Sequence, residues 1–79
     1  MVIKHLHMLD SGETGNIVKI RGAARMHRYL LQQGLAVGRR IARDKTDIPT
    51  PGAPVWLWVN SRNVTLESEI AAGIHVEVS

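Results

Sequence analysis

The chain has no cysteine. That one absence excludes disulfides, thiolate metal sites and cysteine nucleophiles together, and it agrees with a reducing compartment. No apolar run approaches the roughly 20 residues needed to span a bilayer. The opening residues 1–10 are broken by Lys4, His5 and His7 and carry neither the apolar run nor the small-residue cleavage site of a secretory signal. A soluble, cytosolic protein is expected. Catalytic signatures are missing as well. No serine sits in a G-x-S-x-G setting, and Gly12-Glu13-Thr14-Gly15 is not followed by the Lys and Ser/Thr of a phosphate loop. No enzyme activity is expected. Repeats, linkers and low-complexity tracts are also absent.

What is present is one small domain. A chain of 79 residues buries only about 60% of the surface its unfolded form exposes, which suits a compact barrel or a helix packed on a sheet. The net charge of +3 is unevenly spread. Residues 19–45 carry eight basic groups (Lys19, Arg21, Arg25, Arg28, Arg39, Arg40, Arg43, Lys45) against Asp44 alone, while the segments on either side are net acidic. The basic middle is either a solvated face of long cationic side chains or a surface for phosphates, an anionic membrane or an acidic partner.

Turn residues divide the chain into short elements. Asp10-Ser11-Gly12-Glu13 reads as a turn. Residues 14–21 form a strand through Ile17, Val18 and Ile20, ended by Gly22. Residues 23–33 form a short helix closed by Gly34, with Met26, Tyr29, Leu30 and Gln33 on its inward stripe. A strand follows over about 38–45, and the proline-rich stretch 46–54 is a loop. Residues 53–60 give the clearest strand: Val55, Leu57 and Val59 face one way, Trp56 and Trp58 the other. Asn60-Ser61-Arg62-Asn63 turns the chain back into a partner strand over 64–66. Residues 67–72 make a helical turn stopped by Gly73, and Ile74, Val76 and Val78 alternate along a closing strand. The fold class is therefore mainly β, a small SH3-like β-barrel of about five strands with one short α-helix.

The ordered set Leu6-x-x-Leu9, Gly12-Glu13-x-Gly15-x-Ile17-x-x-Ile20, Leu30-x-x-x-Gly34-Leu35-x-x-Gly38, Leu66 and Ala71-x-x-Ile74-x-Val76 resembles the FeoA domain of ferrous-iron transport protein A. The resemblance runs from about Leu6 to Val76. It implies a cytoplasmic accessory module of bacterial ferrous-iron uptake that contacts and modulates the membrane GTPase–permease FeoB, and is held through that partner at the inner face of the membrane. The chain departs from the family pattern where Tyr29 stands for the usual Arg and Gln33 for the usual Leu. On the inward stripe, the Gln33 amide needs hydrogen bonds, since an unpaired buried amide costs about 1–3 kcal/mol.

The candidate partner-binding residues are Arg25, Arg28, Tyr29 and Gln33 on the helix and Trp56 and Trp58 on the clearest strand. Both faces of that strand cannot border one small core. Either the helix or a terminal segment covers the tryptophans, or they form an exposed aromatic patch for a partner. No cofactor is expected beyond one weak option, a divalent metal. His5 and His7 would project from the same side of an extended segment, with Asp10, Glu13 or His75 as a third ligand, although no spacing in the sequence makes three such groups converge. Two further readings stand beside FeoB docking. Residues 15–22 also look like the KOW element of small RNA-binding barrels, but Tyr29 is the only aromatic among the basic groups, which disfavours nucleic acid. The other is a stand-alone FeoA-like domain that works with a metal-dependent transcriptional regulator. Self-association is a further option.

Overall fold

A computed structural model describes residues 1–79. Six strands and two short helices follow in the order β1 (Val2–His5), a 3-10 turn (Leu6–Met8), β2 (Thr14–Ile20), α1 (Ala24–Gln32), β3 (Arg40–Arg43), β4 (Val55–Val59), β5 (Arg62–Leu66), α2 (Ser68–Ala72) and β6 (Ile74–Val78). The strands form one antiparallel sheet in the order β1-β6-β2-β3-β4-β5. The mainly β class holds, with two corrections. There are six strands rather than five, and β1 and β5 remain free edges, so the sheet does not close into a complete barrel.

Period-two alternation builds the core. Along β4 the burial pattern is strictly buried, exposed, buried, exposed, buried, so Val55, Leu57 and Val59 face inward as the sequence requires. They join Ile17, Ile41, Val64, Leu66, Ile74 and Val76 from the other strands, and Leu6, Leu9, Leu30, Leu35 and Ala71 from the remaining segments, in one cluster of 14 buried residues. Gly15 sits where β2 meets β6. A Cβ there would lie 2.5 Å from both the Glu77 carbonyl oxygen and Val76 Cγ1. Glycine is thus needed for the close approach of the two strands rather than for the turn before them.

Local chemistry sets the element ends. Asn60 and Ser61 hold φ of 50° and 63°, the paired left-handed conformation of a two-residue hairpin turn between Val59 and Arg62. The end of α1 has Schellman geometry. Leu35 N–H donates to the Leu30 carbonyl and Gly34 N–H to that of Leu31, both at 2.9 Å, with Gly34 at φ 86°. Leu30 and Leu35 are both fully buried, which pins this helix end to the sheet. The start of α1 has no side-chain cap.

Candidate functional site

Of the expected inward stripe on α1, only Leu30 is buried and Met26 partly so. Tyr29 is 42% exposed, a correction to the sequence reading. Gln33 lies just past the helix end and is half-buried. The only buried side-chain nitrogens or oxygens without a hydrogen-bond partner are His7 Nδ1 and His75 Nε2, so the anticipated amide penalty does not arise.

The side chains that α1 leaves uncovered line a groove. It is open, about 800 Å³ in volume, and runs between the start of α1 and α2. Met26, Tyr29 and Ile70 supply its large apolar surface, Arg21 and Arg25 its basic side, and Glu67 and Glu69 its acidic side. None of these arginines has a carboxylate within 4.0 Å, since only Lys4 and Arg43 of the ten Lys and Arg residues are in ion pairs. The groove therefore offers apolar contact flanked by charges of both signs that are free to pair with an incoming chain. It brings Arg25 and Tyr29 together but does not include Arg28, Gln33, Trp56 or Trp58. Sequence reasoning missed Glu67, Glu69 and Ile70, because nothing local links residues 67–70 to residues 21–29.

Trp56 and Trp58 occupy a second surface. Neither the helix nor a terminal segment covers them: they are 47% and 44% exposed on the outer face of β4, beside Thr65 and Asn63 of β5. Trp58 is fixed in place, its indole N–H donating to Asp44 Oδ2 at 2.8 Å. The Asp44 carboxyl is held below its ordinary value, chiefly by the Thr46 hydroxyl and backbone N–H and then by Trp58 and Asn63.

The histidines are arranged differently from the sequence expectation. His5 ends β1 while His7 lies in the 3-10 turn, so no common extended strand carries both. His5 stacks edge-on with His7 at 5.8 Å and with His75 at 4.5 Å between ring centroids, and His5 Nδ1 is 2.6 Å from the Ala72 carbonyl oxygen. No three His, Cys, Asp or Glu side chains converge as a metal site. Burial lowers the proton affinity of His7, helped by His5 and Arg43, and that of His75, helped by His5, Lys19 and Arg21. Glu13 instead binds Lys4, at 3.0 and 3.3 Å, and accepts the Asp10 N–H at 2.9 Å. That backbone bond and then Lys4 hold the Glu13 carboxyl below its usual range.

Arg43, counted with the basic surface in the sequence, is only 2% exposed. Its Nε donates to Asp47 Oδ2 at 2.9 Å, and its Nη1 donates to the carbonyls of His7 and Leu9 at 3.0 and 2.7 Å. The signal was available, since alternation along β3 puts Arg43 on the same side as Ile41.

These features define a small β-sheet module with an open α1–α2 groove and an exposed tryptophan face. The FeoA domain family matches residues 4–78, and the chain belongs to that family, one of small accessory domains rather than a known enzyme family. The fold agrees. A crystal structure of an iron uptake regulatory protein, FeoA, superposes with a TM-score of 0.89 at 20% identity over 99% of this chain and 100% of that one. The solution structure of FeoA from Chlorobium tepidum gives 0.81 at 21% identity over 95% and 70%. The same fold forms part of a longer protein in IdeR from T. acidophilum, at 0.82 and 21% identity over 100% of this chain and 35% of that one. No curated protein matches the sequence. No helix is long and apolar enough to cross a membrane.

Proposed function

We propose that this protein is a non-enzymatic accessory module of ferrous-iron uptake that docks on the cytoplasmic side of the membrane GTPase–permease FeoB and modulates its transport. The observation that carries this reading is the α1–α2 groove, with Met26, Tyr29 and Ile70 flanked by unpaired Arg21 and Arg25 on one side and Glu67 and Glu69 on the other. Tyrosine and arginine are the residue types that dominate binding energy at interfaces. Membership of the FeoA family supplies the iron-uptake context. The Trp56/Trp58 face is the second candidate surface, rigid at Trp58 and exposed at both rings. Unpaired cations around the groove add attraction for an acidic partner and make docking sensitive to salt.

The fold likeness to part of a manganese-dependent transcriptional repressor supports a second reading, action alongside a metal-dependent regulator. One experiment separates the two. The tagged protein is used to retain partners from extracts at low salt, and ferrous uptake is measured in cells lacking it. Retention of FeoB, together with reduced uptake on deletion, supports the proposal. Failure to retain FeoB with unchanged uptake overturns it, and retention of a DNA-binding regulator transfers the role to the second reading.

A further inference from the structure

Opposite charges face each other across the α1–α2 groove without meeting. Arg21 and Arg25 stand on one side and Glu67 and Glu69 on the other, yet none of the four is within 4.0 Å of an oppositely charged group. All four side chains are exposed. Met26 and Ile70, half-buried, and Tyr29, 42% exposed, give the groove its apolar surface. Apolar surface alone would accept many segments. The two charged sides demand more of the one that fits.

We propose that the groove holds one amphipathic α-helix of the partner, with its apolar ridge on Met26, Tyr29 and Ile70, carboxylates along the edge that meets Arg21 and Arg25, and cations along the edge that meets Glu67 and Glu69. This rests on the docking role proposed above and names the chemistry of the segment that docks. Charge complementarity selects edges of opposite sign. A segment acidic on both edges sets carboxylates against Glu67 and Glu69, and one basic on both sets cations against Arg21 and Arg25.

The walls favour a helix over an extended segment. A docked strand needs a ladder of free backbone N–H and C=O groups. Here the walls are largely α1 and α2, and the chain beside them is already closed, since Arg21 N–H donates to the Gly73 carbonyl at 2.8 Å. A helix satisfies its own backbone and presents apolar residues at i, i+3, i+4 and i+7 between two polar edges. Arg25 and Tyr29, four residues apart on α1, give this wall a matching spacing of about one turn.

Designed alanine-rich helices of about 18 residues, long enough to hold their shape, serve as probes. Each carries a leucine ridge. One has glutamates on one edge and lysines on the other, one has glutamates on both, and one has lysines on both. Exchanging the two edges is no control, because the helix then lies in the groove in the opposite direction. Anisotropy of dye-labelled probes is followed as the full chain is added at low salt. The mixed-edge helix is expected to bind at least about fivefold more tightly than either same-sign helix, with the preference fading at high salt. The net charge of +3 alone would favour the glutamate-edged probe, so this order reports the groove. In Arg21→Glu/Arg25→Glu both sides are acidic, and the preference passes to the lysine-edged helix. Arg39→Glu/Arg62→Glu, an equal charge change outside the groove, keeps the wild-type order. Retention of the cytosolic part of FeoB is measured alongside. A mixed-edge preference without FeoB retention supports this inference and overturns the FeoB reading. Retention of FeoB with the three helices bound equally overturns the inference and leaves FeoB docking standing. No binding of any helix at millimolar protein, or a preference unmoved by Arg21→Glu/Arg25→Glu, also overturns it.

Discussion

Arg43 and Asp47 form a buried ion pair, four residues apart, between the end of β3 and the loop that follows. Asp47 Oδ2 also accepts the Trp56 N–H at 3.0 Å, and Arg43 reaches the His7 and Leu9 carbonyls, so one guanidinium ties the N-terminal turn, the proline-rich loop and β4 together. Removing it strands a carboxylate and two carbonyls.

Arg43→Met is therefore expected to lower unfolding free energy by about 3–5 kcal/mol, the cost of breaking a buried pair. Urea denaturation followed by circular dichroism measures it. A loss below about 1 kcal/mol would mean that these contacts form at no net gain.

Gly15 and Gly52 test two different uses of glycine. Gly15→Ala drives a Cβ into the Glu77 carbonyl and Val76, and is expected to cost about 1–3 kcal/mol or more because the β2–β6 pairing must spread. Gly52→Ala meets nothing within 4 Å and pays only for its φ of 78°, about 1–2 kcal/mol at most. Thermal melts of the two variants should therefore rank Gly15→Ala as the less stable.

Acid sensitivity should originate at the histidines. His7 and His75 both hold protons less readily in the folded state than the ordinary value of 6.5, so the unfolded chain binds more protons as pH falls below about that value. The contribution of the two groups is complete above that pH and is lost progressively below it. Urea midpoints compared at neutral pH and at pH about 5 should fall in the wild type and fall less in His75→Asn. Glu13 and Asp44, whose carboxyls lie below their usual range, add losses only at lower pH, below about 4.5 and 3.8 respectively.

The tryptophans report their own exposure. Both indoles are expected to emit at long wavelength and to be quenched efficiently by acrylamide. Asp44→Asn should alter Trp58 emission by weakening the carboxylate end of the 2.8 Å bond. Protected, blue emission would contradict the exposed face.

Much of this fold is legible in the sequence. The alternation of residues 55–59, the Asn60-Ser61 turn and the Gly34 helix stop all state local requirements that local residues satisfy. β1 was hidden because an edge strand half open to solvent needs no apolar periodicity, and Lys4 and His5 interrupt the little it has. Tyr29 was misplaced because α1 touches the core along a narrow line at Leu30 and Met26, so neighbours on the same helical stripe already stand clear. The site was only half legible. Arg25 and Tyr29 are adjacent on a helix, but their companions Glu67, Glu69 and Ile70 come from a segment some forty residues away, and only the folded sheet sets them side by side.

The most direct test of the account is a titration of the isotope-labelled protein with the cytosolic GTPase domain of FeoB, followed by amide chemical shifts. The predicted result is saturable perturbation concentrated at residues 21–29 and 67–73, lost in Tyr29→Ala and Arg25→Glu variants that remain folded. Absence of binding, or shifts confined to the outer face of β4 and unaffected by those variants, would contradict it.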